Sequence, residues 1–108
     1  MGRYQTTPYV LKGVFHWKDA FLDGIGDFKC DVGSSAWFLW LDGDGHTTFY
    51  YDNVVMDFTA RREKRRNQWV WYAYKKANGR TYKSYLGPSH LVNQERLDQA
   101  AEKLYQKT

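Results

Sequence analysis

The sequence has one cysteine, two prolines and no long apolar run among its 108 residues. A single thiol, Cys30, excludes an internal disulfide and a cysteine-rich zinc site, so we expect no covalent cross-link, metal or cofactor. No apolar run approaches the roughly 18 residues that span a membrane, and the first nine residues are too polar for a signal peptide. The lack of repeats and of proline- or serine-rich linkers indicates one domain over residues 1–108. These absences favour a cytoplasmic protein with no membrane association.

Charge and aromatic rings are unevenly spread along the chain. Aromatic residues make up 19% of the sequence, and the formal net charge is +4. Residues 1–57 hold four basic and eight acidic side chains, a balance of −4, whereas residues 58–108 hold twelve basic and four acidic ones, a balance of +8. Because the positive charge is confined to one half and interleaved with aromatic residues, it favours a polyanionic partner such as nucleic acid.

The first 56 residues give the weaker structural signals. We interpret residues 1–33 as an N-terminal extension, in which residues 10–17 can form a strand before a loop rich in glycine and aspartate. Residues 35–41 fit a short helix capped by Ser34 or Ser35, which we favour, or a buried strand. A turn over residues 42–45 then leads to a short aromatic strand over residues 47–51.

Residues 57–108 predict an α+β module, in which a three-stranded antiparallel sheet packs on a C-terminal helix. Residues 54–63 alternate in polarity, and Asn78-Gly79 is a strong hairpin signal between strands over residues 69–76 and 80–86. A helix over residues 93–106 follows, with Asn93 as its N-cap, and must cover one sheet face. The expected shared core consists of Phe58, Ala60, Trp71, Ala73, Leu86, Leu97, Ala101 and Leu104.

The hairpin turn also predicts which side chains share a face of the sheet. A two-residue turn at Asn78-Gly79 places Tyr74 opposite Lys83, Tyr72 opposite Tyr85, and Trp71 opposite Leu86. The face under the helix then carries Trp69, Trp71, Ala73, Ser84 and Leu86. The other face carries Tyr72, Tyr74, Lys76, Thr81, Lys83 and Tyr85, and can be extended by Thr59, Arg61 and Glu63.

This second face has the composition that nucleic acids prefer, since cations neutralise phosphates and tyrosine rings pack on sugars or bases. A basic run over residues 61–66 adjoins it. An ordinary structural explanation is also open, because tyrosines and lysine stems form cross-strand pairs in many sheets and a charged run is usually a solvated loop. The predicted nucleic-acid-binding residues are Arg61, Arg62, Arg65, Arg66, Tyr72, Tyr74, Lys76, Arg80, Lys83 and Tyr85.

Several phrases in the second half are shared with a known module. They are F-T-A-R-R-E at residues 58–63, W-Y-A-Y-K-K at 71–76, Y-L-G at 85–87, and E-R-L followed by A-A at 95–101. On these motifs the segment resembles a small N-terminal module of bacterial LuxR/MalT-type transcription regulators and related phage and plasmid proteins. It departs from that pattern at Val92-Asn93, where Leu-Thr is usual, and in its N-terminal extension.

More distantly, the same segment is similar to the Apetala-two domain and to the arm-binding domain of tyrosine integrases. Both families place three antiparallel strands on a C-terminal helix and insert the opposite sheet face into the DNA major groove. This resemblance implies duplex-DNA contact through Tyr72, Tyr74, Lys76, Lys83 and Tyr85.

Catalytic and metal-binding patterns are weak in this sequence. His16, His46 and His90 have no metal-like spacing to one another or to Cys30, and the aspartates at 42 and 44 lack the spacing of a calcium loop. We therefore expect a non-catalytic module of a bacterial transcription regulator or mobile element that binds duplex DNA. The alternatives are a protein-interaction or ligand-sensing accessory domain, which can form a homo-oligomer, and a binder of single-stranded nucleic acid or RNA.

Overall fold

Strands dominate the part of the chain that the structure describes, residues 7–19 and 26–108 of a computed structural model. In chain order they are β1 (Tyr9–Leu11), β2 (Val14–Asp19), β3 (Gly26–Asp31), β4 (Thr48–Asp52), β5 (Phe58–Arg65), β6 (Gln68–Ala77) and β7 (Arg80–Gly87). Within the described residues they form one seven-stranded sheet of order β3-β2-β1-β4-β5-β6-β7. The sheet is mixed, because β1 and β4 are parallel and the other neighbouring pairs are antiparallel.

The predicted three-stranded antiparallel sheet on a C-terminal helix is therefore wrong as the fold class. Its three strands exist as β5, β6 and β7, but β4 joins them to three more strands from the N-terminal extension. The single strand predicted over residues 10–17 is two strands, because the chain turns from β1 into β2 at Lys12 and Gly13, whose φ angles are 51° and 80°. Lysine is an uncommon residue at positive φ, so the sequence does not mark this hairpin. Residues 26–31 of the predicted glycine- and aspartate-rich loop form β3, and residues 20–25 lie outside the described residues.

The hairpin between β6 and β7 is confirmed. Asn78 and Gly79 have φ angles of 55° and 73°, as a two-residue turn of this type requires. Tyr74 lies opposite Lys83 and Tyr72 opposite Tyr85, as predicted. The predicted pairing of Trp71 with Leu86 is wrong, because a β-bulge shifts the register and places Trp71 opposite Gly87.

The described residues contain two α-helices, α1 (Ser35–Asp42) and α2 (Gln94–Lys107), with a 3-10 helix over Ser89–Leu91 between them. The favoured helical interpretation of residues 35–41 is thus confirmed. The backbone N–H of Trp37 donates to Ser34 Oγ at 3.3 Å, and that of Arg96 donates to Asn93 Oδ1 at 2.9 Å. Each cap satisfies an N–H group that has no partner within its helix.

Both helices cover the same face of the sheet. They contribute Trp37, Trp40 and Leu41 from α1, and Leu97, Ala100, Ala101 and Leu104 from α2, to one buried cluster. All eight residues of the predicted core belong to this cluster, so the core is confirmed. Trp69 differs from its prediction and is 49% exposed; the guanidinium of Arg62 lies over its ring, 5.5 Å from the ring centroid.

Candidate nucleic-acid interface

The sheet face opposite the helices presents polar and aromatic side chains along β5, β6 and β7. Side chains alternate along a strand, so Ala60, Ala73 and Ser84 are buried beneath the helices while their sequence neighbours point the other way. We call this second surface the open face. Its residues are Thr59, Arg61, Glu63, Arg65, Gln68, Val70, Tyr72, Tyr74, Lys76, Thr81, Lys83 and Tyr85, of which Val70 is buried.

Lys83 connects the tyrosines of the open face. Its Nζ lies 4.1 Å from the ring centroid of Tyr72 and 5.5 Å from that of Tyr74. The rings of Tyr72 and Tyr85, which are opposite each other in the register, have centroids 5.4 Å apart at an interplanar angle of 66°. The predicted alternation of rings and ammonium groups is therefore present as a contacting cluster.

Glu63 is the carboxylate at the centre of this cluster. Arg65 Nη2 lies 2.6 Å from Glu63 Oε1, and Lys83 Nζ lies 3.6 Å from the same oxygen. The hydroxyl of Tyr74 donates a hydrogen bond to Glu63 Oε2. These contacts fix the two cations and Tyr74 relative to one another, so the open face is organised before any ligand binds.

The contacts of Glu63 also set protonation states on the open face. The hydrogen bond from Tyr74 lowers the pKa of Glu63, and the charges of Lys83 and Arg65 lower it further. Burial raises the pKa of Tyr74, and its hydrogen bond to Glu63 raises it further. Glu63 is therefore ionised and Tyr74 protonated at neutral pH, so the open face keeps a fixed charge distribution.

Two cations of the open face, Arg61 and Lys76, are exposed and form no ion pair with a described residue. Arg61 lies opposite Tyr72, and Lys76 lies opposite Thr81. With Arg65 and Lys83 these two cations give the open face four cations against one carboxylate, and hence a net positive charge.

Three predicted binding residues lie away from the open face. Arg62 follows Arg61 in β5 and so points to the helix side, where Nη1 donates to the carbonyl of Gly43 at 3.2 Å and Nη2 lies 3.6 Å from Asp42. Arg80 lies opposite Ala77 at the end of the hairpin, also on the helix side. Arg66 occupies the turn between β5 and β6 at a φ of 50°. The basic run therefore divides between both faces and a turn.

Sequence reasoning missed a polar group beside the open face, at the start of β5. Lys75 Nζ donates to Asp57 Oδ1 at 2.7 Å, and the hydroxyl of Tyr50 donates to Asp57 Oδ2. Burial raises the pKa of Asp57, but these two hydrogen bonds outweigh it and leave the pKa below its usual value. Tyr50 lies opposite Thr59. Phe49 and Tyr51 belong to the core, so the alternation of side chains along β4 places Tyr50 on the other side of the sheet, and this alternation was the available signal.

No family model, curated protein or solved structure matches this chain. The resemblance to the regulator module and to the two DNA-binding domain families thus stays a prediction. Of the helices in residues 7–19 and 26–108, none has the length and apolar character needed to cross a membrane. Across the same residues, no three His, Cys, Asp or Glu side chains are grouped so that they could hold a metal ion.

Proposed function

We propose that this protein is a non-catalytic nucleic-acid-binding module, and that the open face binds a single-stranded polynucleotide. The observation that carries the proposal is the placement of four cations and three tyrosines on the sheet face that neither α1 nor α2 covers. Cations neutralise backbone phosphates, and aromatic rings provide sequence-tolerant stacking platforms for bases.

The width of the sheet favours a single strand over the groove of a duplex. A three-stranded sheet with two free edges can enter a major groove about 12 Å wide. Here β5 continues into β4, β1, β2 and β3, and the outermost described strands are about 29 Å apart at a spacing of ~4.8 Å. The four additional strands would meet the phosphate backbone before β5, β6 and β7 reached the bases. A splayed single strand meets no such obstacle.

Tyr85 provides the accessible ring for stacking. It lies on the edge strand β7 and is 50% exposed, whereas the ring of Tyr72 already contacts Lys83 and, at 5.3 Å, the guanidinium of Arg65. A base can therefore stack on Tyr85 without displacing a cation. Arg65 and Lys83, which Glu63 holds in place, are then available to the adjoining phosphates.

Fluorescence anisotropy with a labelled oligonucleotide, as a single strand and as the matched duplex, tests this function. We expect tighter binding of the single strand, and weaker binding by the variants Arg65→Ala and Tyr85→Ala. Lys64→Ala is the matched control, because Lys64 is exposed and adjacent to Arg65 but points to the helix side of β5.

Three results would contradict the proposal in different ways. If Lys64→Ala and Arg65→Ala lost equal oligonucleotide affinity, binding would be a diffuse charge attraction with no specific role for the open face. Tighter binding of the duplex would refute the single-strand mode. No binding of either oligonucleotide would refute the function itself.

A further inference from the structure

A cavity of about 390 Å³ lies at the end of the open face nearest the tip of the β6–β7 hairpin. Its walls come from the start of β5, the end of β6 and the start of β7, with Tyr50 from β4. Small-molecule sites in proteins have volumes of roughly 300–1,000 Å³, so this cavity exceeds what a bare phosphate ion needs. It lies at the opposite end of the open face from Arg65, since Thr59 in its wall is about 20 Å from Arg65 along β5 at ~3.3 Å per residue.

The charge of the cavity favours an anion. Arg61, Lys75 and Lys76 line it together with a single carboxylate, that of Asp57. Lys75 forms the ion pair with Asp57, which leaves the charges of Arg61 and Lys76 uncompensated within the cavity. An arginine and a lysine are the side chains that most often contact phosphate oxygens.

The remaining walls suit the rest of a nucleotide. Thr59 and Thr81 line the cavity with hydroxyl groups, which can donate to phosphate or sugar oxygens. Tyr50 and Tyr74 also line the cavity. Cations, hydroxyls and rings thus occur together, in a volume that can enclose a phosphate with its sugar and base.

We propose that this cavity holds one nucleotide of the bound strand, with its phosphate facing Arg61 and Lys76. The proposal rests on the proposed function and adds a defined subsite to it. The strand would then run along β5, β6 and β7, from the cavity past Tyr85 towards Arg65.

Binding of adenosine monophosphate and inorganic phosphate to the full chain, followed by NMR shifts of the backbone amides, tests the subsite. We expect the mononucleotide to shift Thr59, Tyr74 and Thr81, and to bind more tightly than inorganic phosphate. Lys76→Gln should lower the affinity for the mononucleotide by roughly tenfold, as loss of a charge-assisted contact implies. Arg65→Gln is the matched control, since it removes an open-face cation outside the cavity.

The outcomes separate this inference from the function on which it rests. If the oligonucleotide binds but the mononucleotide shifts none of the cavity residues, the subsite is wrong and the function stands. Equal effects of Lys76→Gln and Arg65→Gln on the mononucleotide would also overturn the subsite. Equal affinities for inorganic phosphate and the mononucleotide would reduce it to an anion site and refute the nucleotide assignment. If nothing binds, both proposals fail.

Discussion

Trp71 and Trp69 are two residues apart on the same side of β6, but their surroundings differ. Trp71 is fully buried and its Nε1 donates to Ser89 Oγ at 3.0 Å, whereas Trp69 is 49% exposed. Trp71→Ala should therefore lower the free energy of unfolding by about 3–5 kcal/mol, as loss of a buried aromatic side chain does. Trp69→Ala should lower it by less than about 1 kcal/mol. Urea denaturation measures both values, and equal losses would contradict the difference in burial between Trp71 and Trp69.

The pKa of Glu63 depends on the hydroxyl of Tyr74. Tyr74→Phe removes the donor, so we expect the pKa of Glu63 to rise towards its ordinary value of 4.5. A titration of the side-chain carboxyl carbon by NMR gives this pKa directly. Tyr72→Phe is the control, because no hydrogen bond joins the Tyr72 hydroxyl to Glu63 among the described side chains, and it should leave the pKa unchanged.

The hydrogen bond between Tyr74 and Glu63 also predicts a pH dependence of stability. The folded-state pKa of Glu63 is lower than its unfolded-state pKa, so the ionised carboxylate favours folding at pH values above the unfolded one. This contribution is lost as the pH falls through the lower, folded-state pKa. Tyr74→Phe should thus destabilise the protein more at neutral pH than under acidic conditions. If the stability difference between the unsubstituted protein and Tyr74→Phe grew as the pH is lowered, it would contradict this expected pH dependence.

At the scale of elements, helix α2 depends on its cap. Asn93→Ala leaves the backbone N–H of Arg96 without its side-chain acceptor, so we expect a loss of about 1 kcal/mol in the free energy of unfolding. Asn93→Ser keeps an acceptor at the same position and should retain most of the stability. If Asn93→Ala and Asn93→Ser unfold at the same urea concentration, the side-chain cap contributes nothing to the free energy of unfolding.

The elements that could be predicted are those with a local chemical signal. Asn78-Gly79 identifies the β6–β7 hairpin because both residues accept positive φ, and Asn93 identifies the start of α2. The predicted register of β6 and β7 is wrong only at Trp71, since a β-bulge depends on how the whole sheet packs.

The division of the N-terminal extension into three strands of one sheet could not be predicted, because it depends on partners distant in sequence. β1 has three residues, and it is a strand because it pairs with both β2 and β4, which lie far apart in sequence. Such pairing leaves no periodicity in so short a segment. The candidate site was foreseen only in part for a related reason, because Lys75 of β6 meets Asp57, which immediately precedes the paired strand β5.

At the scale of the molecule, the two halves of the chain form two halves of the sheet. The acidic half, residues 1–57, supplies β1, β2, β3 and β4, and the basic half supplies β5, β6 and β7. Among the described side chains, β5, β6 and β7 carry eight basic residues against Glu63, whereas β1, β2, β3 and β4 carry Lys29 against Asp31 and Asp52. A polyanion is attracted to one end and repelled from the other, which favours a contact limited to β5, β6 and β7.

This charge division predicts how binding responds to salt. Each phosphate neutralised on a single strand contributes a slope of about −0.7 to a plot of log affinity against log salt. If the four cations of the open face engage, the slope should be about −3, and Arg65→Ala should reduce its magnitude by about 0.7. Tyr85→Ala should weaken binding without changing the slope, because its ring carries no charge.

Lys29→Ala is the decisive control for that measurement. Lys29 is exposed on β3 and points to the same side of the sheet as the open face, since its row runs through His16, Tyr9 and Tyr50 to Thr59. It differs from Arg65 in lying at the acidic end, so its loss should leave both the affinity and the slope unchanged. A decrease as large as that of Arg65→Ala would show that the strand crosses the whole sheet, and the confinement to β5, β6 and β7 would be wrong.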